Sequence, residues 1–101
     1  MNQPLSVLII EDSSFDAMVM VNVLEQGGYS VEHEQVETSK ELTHALEHGS
    51  WDVILSDYNL PEFSAPKALE MIKQSGLDIP FIIILPIQTI STKFLRDIFG
   101  I

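Results

Sequence analysis

Two short apolar runs in this chain each end in acid. Val7-Leu-Ile-Ile10 runs into Glu11-Asp12, and Val53-Ile-Leu-Ser56 runs into Asp57. A buried strand that presents an acid at its carboxyl tip is how open α/β sheets place chemistry, because ligands bind outside the carboxyl ends of the strands. If the two runs are neighbouring parallel strands, Glu11, Asp12 and Asp57 converge at one edge. Carboxylates that close repel one another, and a divalent cation with oxygen ligands relieves the repulsion. Just after Asp57 the chain turns through Asn59 to Pro61.

The elements around these acids follow from periodicity. Leu5 to Ile10 is short and apolar, with polar residues on either side, and reads as a buried strand. Ser13 opens a helix, with Asp16 at the capping-box spacing. Phe15, Met18, Val19, Val23 and Leu24 recur at helical intervals and form its expected buried stripe. Gly27-Gly28 ends that helix. Ser30 to Val36 mixes Val with His and Glu, as an edge strand does. Thr38 and Glu41 make a second capping box, opening a helix with Leu42, Ala45 and Leu46 on one face and Gly49 at its end. Asp52 to Ser56 is the central strand. Pro66 suits the first turn of a third helix, whose apolar side is Leu69, Met71 and Ile72 and whose stop is Gly76. Pro80 to Leu85 is apolar throughout, so a strand buried on both faces is expected there. Alternation of strand and helix predicts an α/β fold with a parallel sheet and helices on both sides.

Composition narrows the function. The 101 residues suit a single domain, 1–101, and are 46% hydrophobic, enough for a core. Acids outnumber bases 15 to 5, for a formal charge of −10. That argues against nucleic acid, whose phosphates need clustered Lys and Arg, and against an anionic membrane surface. Without cysteine there is no thiolate chemistry. No apolar run approaches the ~20 residues of a membrane helix, and Asn2, Gln3 and Pro4 do not form a basic leader. The expectation is a soluble cytoplasmic protein. His44 and His48 have the spacing that zinc sites use, but with no third ligand in view they read as a solvated helix face.

The segments Val7-Leu-Ile-Ile-Glu-Asp-Ser13, Asp52-Val-Ile-Leu-Ser-Asp-Tyr-Asn-Leu-Pro61 and Leu77-Asp-Ile-Pro-Phe-Ile-Ile-Ile84 resemble a response regulator receiver domain of two-component signalling, over about residues 5–85. The resemblance implies a flavodoxin-like, doubly wound parallel sheet, here with four strands in the order 2-1-3-4 and the fifth missing. It implies that Asp57 is the phosphoacceptor, taking a phosphoryl group from a sensor histidine kinase or phosphotransfer protein. It implies Mg²⁺ (or Mn²⁺) held by Asp12 directly, by Glu11 through water, by Asp57 and by the backbone carbonyl of Asn59. Such a domain is a phosphoacceptor rather than an enzyme, at most catalysing its own phosphotransfer and slow dephosphorylation.

The sequence departs from the family pattern after the fourth strand. The family's phosphoryl-binding Ser or Thr falls here on Leu85 or Pro86, and neither side chain donates a hydrogen bond. The fifteen residues from Ile87 to Ile101 are too few for a helix, a strand and another helix, and read as one short helix after Ser91. Lys93 and Arg96 do not match the family's lysine. The competing reading is therefore a pseudo-receiver, an interaction module without a working phosphoryl switch. A flavodoxin-like cofactor binder is disfavoured, because a phosphate-bearing cofactor prefers Gly, Ser and Thr amides where Glu11-Asp12 stands. A missing fifth strand leaves the fourth at the sheet edge, where unpaired strands invite another chain. A homodimer through that strand and the 86–101 tail is expected.

Overall fold

The computed structural model describes residues 2–58 and 64–84. The described elements alternate as β1 (Gln3–Ile10), α1 (Ser14–Gln26), β2 (Tyr29–Val36), α2 (Ser39–His48), β3 (Val53–Asp57), α3 (Ala65–Ser75) and β4 (Phe81–Ile84). The four strands are parallel and ordered β2-β1-β3-β4. The α/β fold and the strand order match those expected. Leu85, Pro86, the 87–101 tail and the turn that carries Asn59 lie outside the described residues.

The apolar runs of β1 and β3 reflect burial on both sheet faces. Val7, Ile9, Val53, Leu55 and Ile84 share one cluster with Ala17, Met20, Val21, Val23 and Leu24 of α1. Leu8, Ile10 and Ile54 point the other way, into Leu42, Ala45 and Leu46 of α2 and Ala68 and Ile72 of α3. Alternation along each strand thus feeds two cores, one on either side of the sheet. Burying each Leu or Ile side chain contributes about 1.5–3 kcal/mol, so the central strands anchor the fold.

The stripe expected on α1 is buried only at Val23 and Leu24. Phe15 and Met18 are 75% and 46% exposed, and Val19 is half-buried. The buried set is Ala17, Met20, Val21, Val23 and Leu24. Residues 17, 20, 21 and 24 follow the i, i+3, i+4, i+7 rule, and so form a stripe of their own. The fourth strand also differs from expectation. Phe81, Ile82 and Ile83 are half-buried and Ile84 alone is buried. Among the described residues β4 has a strand neighbour, β3, on one side only.

Ser13 and Thr38 cap α1 and α2 as anticipated, and Ser64, which the sequence alone did not single out, caps α3, each accepting a backbone N–H three residues on. Pro66 lies in the first turn of α3, and Gly76 ends it in the left-handed conformation at φ 79°. Gly49 ends α2 for a different reason. A Cβ there would fall 2.5 Å from the Trp51 ring, which is held in place by its Nε1–H donating to the carbonyl of Ala45 at 2.9 Å. Below β3, Asp52 and Ser6 clasp twice at 2.8 Å, through the Asp52 carboxylate and the Asp52 N–H.

Candidate functional site

Strand register brings the acids together. Ile10 of β1 pairs with Ser56 of β3, so Glu11 comes next at the level of Asp57. Each acid's place is set by the last turn of its strand. Glu11, Asp12 and Asp57 offer carboxylate oxygens that all lie within 4.8 Å of one another. Their surroundings are graded: Glu11 is buried, Asp57 is half-buried and Asp12 is exposed.

Glu11 is held from several sides. Its N–H donates to Val36 O at 2.9 Å, and its own carbonyl accepts from Gln35 Nε2 at 2.8 Å. Its carboxylate Oε1 accepts the Ser13 N–H at 3.0 Å. Ser13 in turn uses its Oγ to accept the Asp16 N–H that opens α1, at 3.2 Å. The acidic loop is thereby tied at once to the edge strand β2 and to the first turn of α1. On β3, Ser56 is fully buried and donates its Oγ–H to the Asp57 carbonyl at 3.1 Å. The Tyr58 N–H donates to Ile84 O at 3.0 Å, which fixes the chain as it leaves Asp57.

The electrostatics of the site are those of crowded carboxylates. Burial, and then a hydrogen bond with the Asp12 side chain, push the Glu11 carboxyl up from 4.5 to about 8. The negative charges of Asp57 and Asp16 act in the same direction, and the Ser13 N–H opposes them. A buried acid that binds its proton this tightly near neutral pH is one whose charge lacks compensation. The donor set is all oxygen and anionic, which fits a hard dication such as Mg²⁺ rather than a thiolate-seeking metal.

Of the residues singled out from the sequence, Glu11, Asp12 and Asp57 are therefore brought together, while Asn59 lies outside the described residues. Sequence alone did not single out Gln35 or Ser56. Gln35 pairs in register with Ile9, two residues before Glu11. A long amide at that point of an edge strand was the available signal. Ser56 interrupts an apolar strand one residue before Asp57, and its hydroxyl is satisfied locally, which a sequence does not reveal.

Comparisons with known proteins bear on this arrangement. The family model described as the response regulator receiver domain matches residues 7–93, eight residues further than Leu85. No curated protein matches the chain. Among solved structures, the chain resembles a MaeR response regulator bound to beryllium trifluoride, at 20% identity and a TM-score of 0.70, over 97% of this chain and 76% of that one. It resembles the signal receiver domain of the response regulator NarL from Mycobacterium tuberculosis at 18% identity and a TM-score of 0.67, over 92% and 78% of the two chains. It also resembles the BeF3-activated receiver domain of nitrogen regulatory protein C, at 24% identity and a TM-score of 0.59, over 99% and 78%. At such identities these neighbours establish the fold alone. Taken with the match over residues 7–93, the sheet order and the acid trio are those of one family: the chain belongs to the response regulator receiver domains of two-component systems.

Proposed function

We propose that the chain is a phosphoryl-accepting receiver whose nucleophile is Asp57. The observation that carries this reading is the cluster of Glu11, Asp12 and Asp57 within 4.8 Å at the carboxyl ends of β1 and β3. An ionised Asp57 oxygen attacks the phosphorus of a phosphohistidine on a sensor histidine kinase or phosphotransfer protein. The P–N bond breaks, its electron pair returns to the imidazole nitrogen, and an acyl phosphate forms on Asp57. Glu11 and Asp12, with Asp57 and the Asn59 carbonyl, are the ligands proposed for Mg²⁺ or Mn²⁺. A dication held there would offset the carboxylate charge and the charge that the phosphoryl group adds. The Gln35 and Ser13 contacts hold Glu11 at its station. Two structural neighbours are described with beryllium fluoride species, and such groups mimic a phosphoryl group on a carboxylate, which supports a similar use of this pocket.

The reading extends to one receiver unit over residues 1–101, acting in the cytoplasm and paired through β4 and the tail. No helix among the described residues is long and apolar enough to cross a membrane. A second reading, a pseudo-receiver that works by assembly, is favoured by one feature of the sequence. Leu85 and Pro86 come after β4 where the family uses a hydroxyl.

The two readings separate on the chemistry of the label. Phosphoryl transferred from a phosphohistidine donor should be released from this chain by hydroxylamine, as an acyl phosphate is. A label that resists hydroxylamine would sit on another residue type and would refute Asp57 as acceptor. No label from any donor would favour the pseudo-receiver.

A further inference from the structure

The pairing of β1 with β2 stops beside the acidic site. In a parallel ladder the N–H and the C=O of one residue bond to two different residues of the neighbouring strand. Glu11 keeps the first of these bonds, donating its N–H to the carbonyl of Val36 at 2.9 Å. The second would reach its carbonyl from the Thr38 N–H. Thr38 has turned away into the cap of α2, and its N–H donates to Glu41 Oε1 at 3.2 Å instead. The Glu37 N–H goes to the same oxygen at 3.0 Å. A side chain takes over: Gln35 Nε2 donates to the Glu11 carbonyl at 2.8 Å. A carbonyl only accepts, so the amide nitrogen is the atom that must face it. Gln35 supplies the rung that the backbone of β2 no longer provides.

We propose that Gln35 is a positioning residue for Asp12, and through Asp12 for the affinity of the acid trio for a divalent cation; the proposal rests on the cation-binding reading of that trio. The peptide that joins Glu11 to Asp12 is planar. A grip on the Glu11 carbonyl oxygen therefore sets the plane that carries the Asp12 nitrogen and Cα. Glu11 has anchors besides, since its side chain is buried and its Oε1 accepts the Ser13 N–H. Asp12 is exposed. Its side chain meets that of Glu11 through a hydrogen bond, but two carboxyl groups bond only through a proton, which a cation would displace. With a cation in place, Asp12 depends for its direction on the backbone beneath it. Loss of the Gln35 bond lets that peptide take other orientations, which carry Asp12 away from Glu11 and Asp57. Removing a partner that orients a metal ligand typically weakens binding about 10–100-fold.

Gln35→Met tests this, because methionine keeps a long unbranched side chain and removes the donor. Mg²⁺ is titrated into the full metal-free chain and followed by the backbone amide signals of Asp12 and Ser13. The apparent dissociation constant should rise roughly tenfold in Gln35→Met. Trp51→Phe is the control. It removes the Nε1–H bond to the Ala45 carbonyl, before β3 rather than at its acidic end, and should lower stability to urea without changing Mg²⁺ affinity. Before any Mg²⁺ is added, the carbonyl carbon signal of Glu11 should already move in Gln35→Met and stay in place in Trp51→Phe. Unchanged Mg²⁺ affinity in Gln35→Met, or an equal loss in Trp51→Phe, would overturn the proposal while leaving the cation site intact. A wild-type chain that binds no Mg²⁺ would overturn the cation reading and this proposal with it.

Discussion

At the residue scale the informative group is Glu11. It is 2% exposed, and its carboxyl is pushed up from 4.5 to about 8. The folded chain therefore holds a proton that the unfolded chain releases earlier. This contribution to stability is fully present below the unfolded value and is lost as pH climbs from about 4.5 through about 8. The slope approaches about 1.4 kcal/mol per pH unit where Glu11 is ionised only in the unfolded chain. Urea unfolding in metal-free buffer should show stability falling from pH 5.5 to pH 8, over the interval set by the raised Glu11. Added Mg²⁺ should flatten that profile, because a cation at the trio compensates the ionised form. Glu11→Gln should flatten it as well. A slope unchanged in Glu11→Gln would show that another group sets it. The three acids were legible from sequence because each ends an apolar run, and strand ends are where open sheets place ligands. Gln35 was not, since its role depends on the register of β2 against β1, which spacing within one strand does not reveal.

At the element scale the helix starts were the easiest features to read and α1 the hardest. Ser, Thr and Asp side chains compete for free N–H groups, so caps announce themselves in sequence. The box at α2 is complete: Glu41 N–H donates to Thr38 Oγ1 at 3.1 Å, and Thr38 N–H donates to Glu41 Oε1 at 3.2 Å. Thr38→Ala should cost about 1 kcal/mol in chemical denaturation, and Thr38→Ser should restore most of it. No measurable loss in the alanine variant would mean that packing of Leu42, Ala45 and Leu46 alone sets the start of α2. On α1 two apolar stripes compete. Phe15, Met18 and Val19 begin one, while Ala17, Met20, Val21 and Leu24 form another, two residues out of step; of the expected stripe, Val23 and Leu24 are buried with the second. At 3.6 residues per turn, two residues are about 200° of rotation, so the stripes lie on nearly opposite faces. Periodicity cannot choose between them. Side-chain size does: Ala17, 1% exposed, lets the first turn of α1 approach the sheet, whereas Phe15 in that place would hold it off. The edge strand β2 was legible from its composition. Glu32, His33 and Glu34 are exposed there, and charge on an edge discourages pairing with another chain.

At the scale of the whole molecule the two edges of the described sheet differ. β2 is charged, whereas β4 is Phe81-Ile-Ile-Ile84, half-buried over its first three residues. An apolar edge of that kind is a template for association. Scattering or sedimentation should therefore give the mass of a dimer, and the mass of a single 11.3 kDa chain at high concentration would contradict it. Ile83→Lys should reduce both folding and assembly. Fold class and strand order were readable from the alternation of runs and caps, because burial on both faces imposes continuous apolar strands. The departure read from the sequence after Ile84 falls on residues 85–101, outside the described residues, and the family model matches on through residue 93. Phosphoryl transfer to Asp57 at a cation-dependent acid trio changes the intact mass of the chain. After incubation with a small phosphodonor and Mg²⁺, the chain should gain one phosphoryl group, and the gain should vanish with chelator and in Asp57→Asn. An unmodified chain under those conditions, or an equal gain in Asp57→Asn, would contradict it.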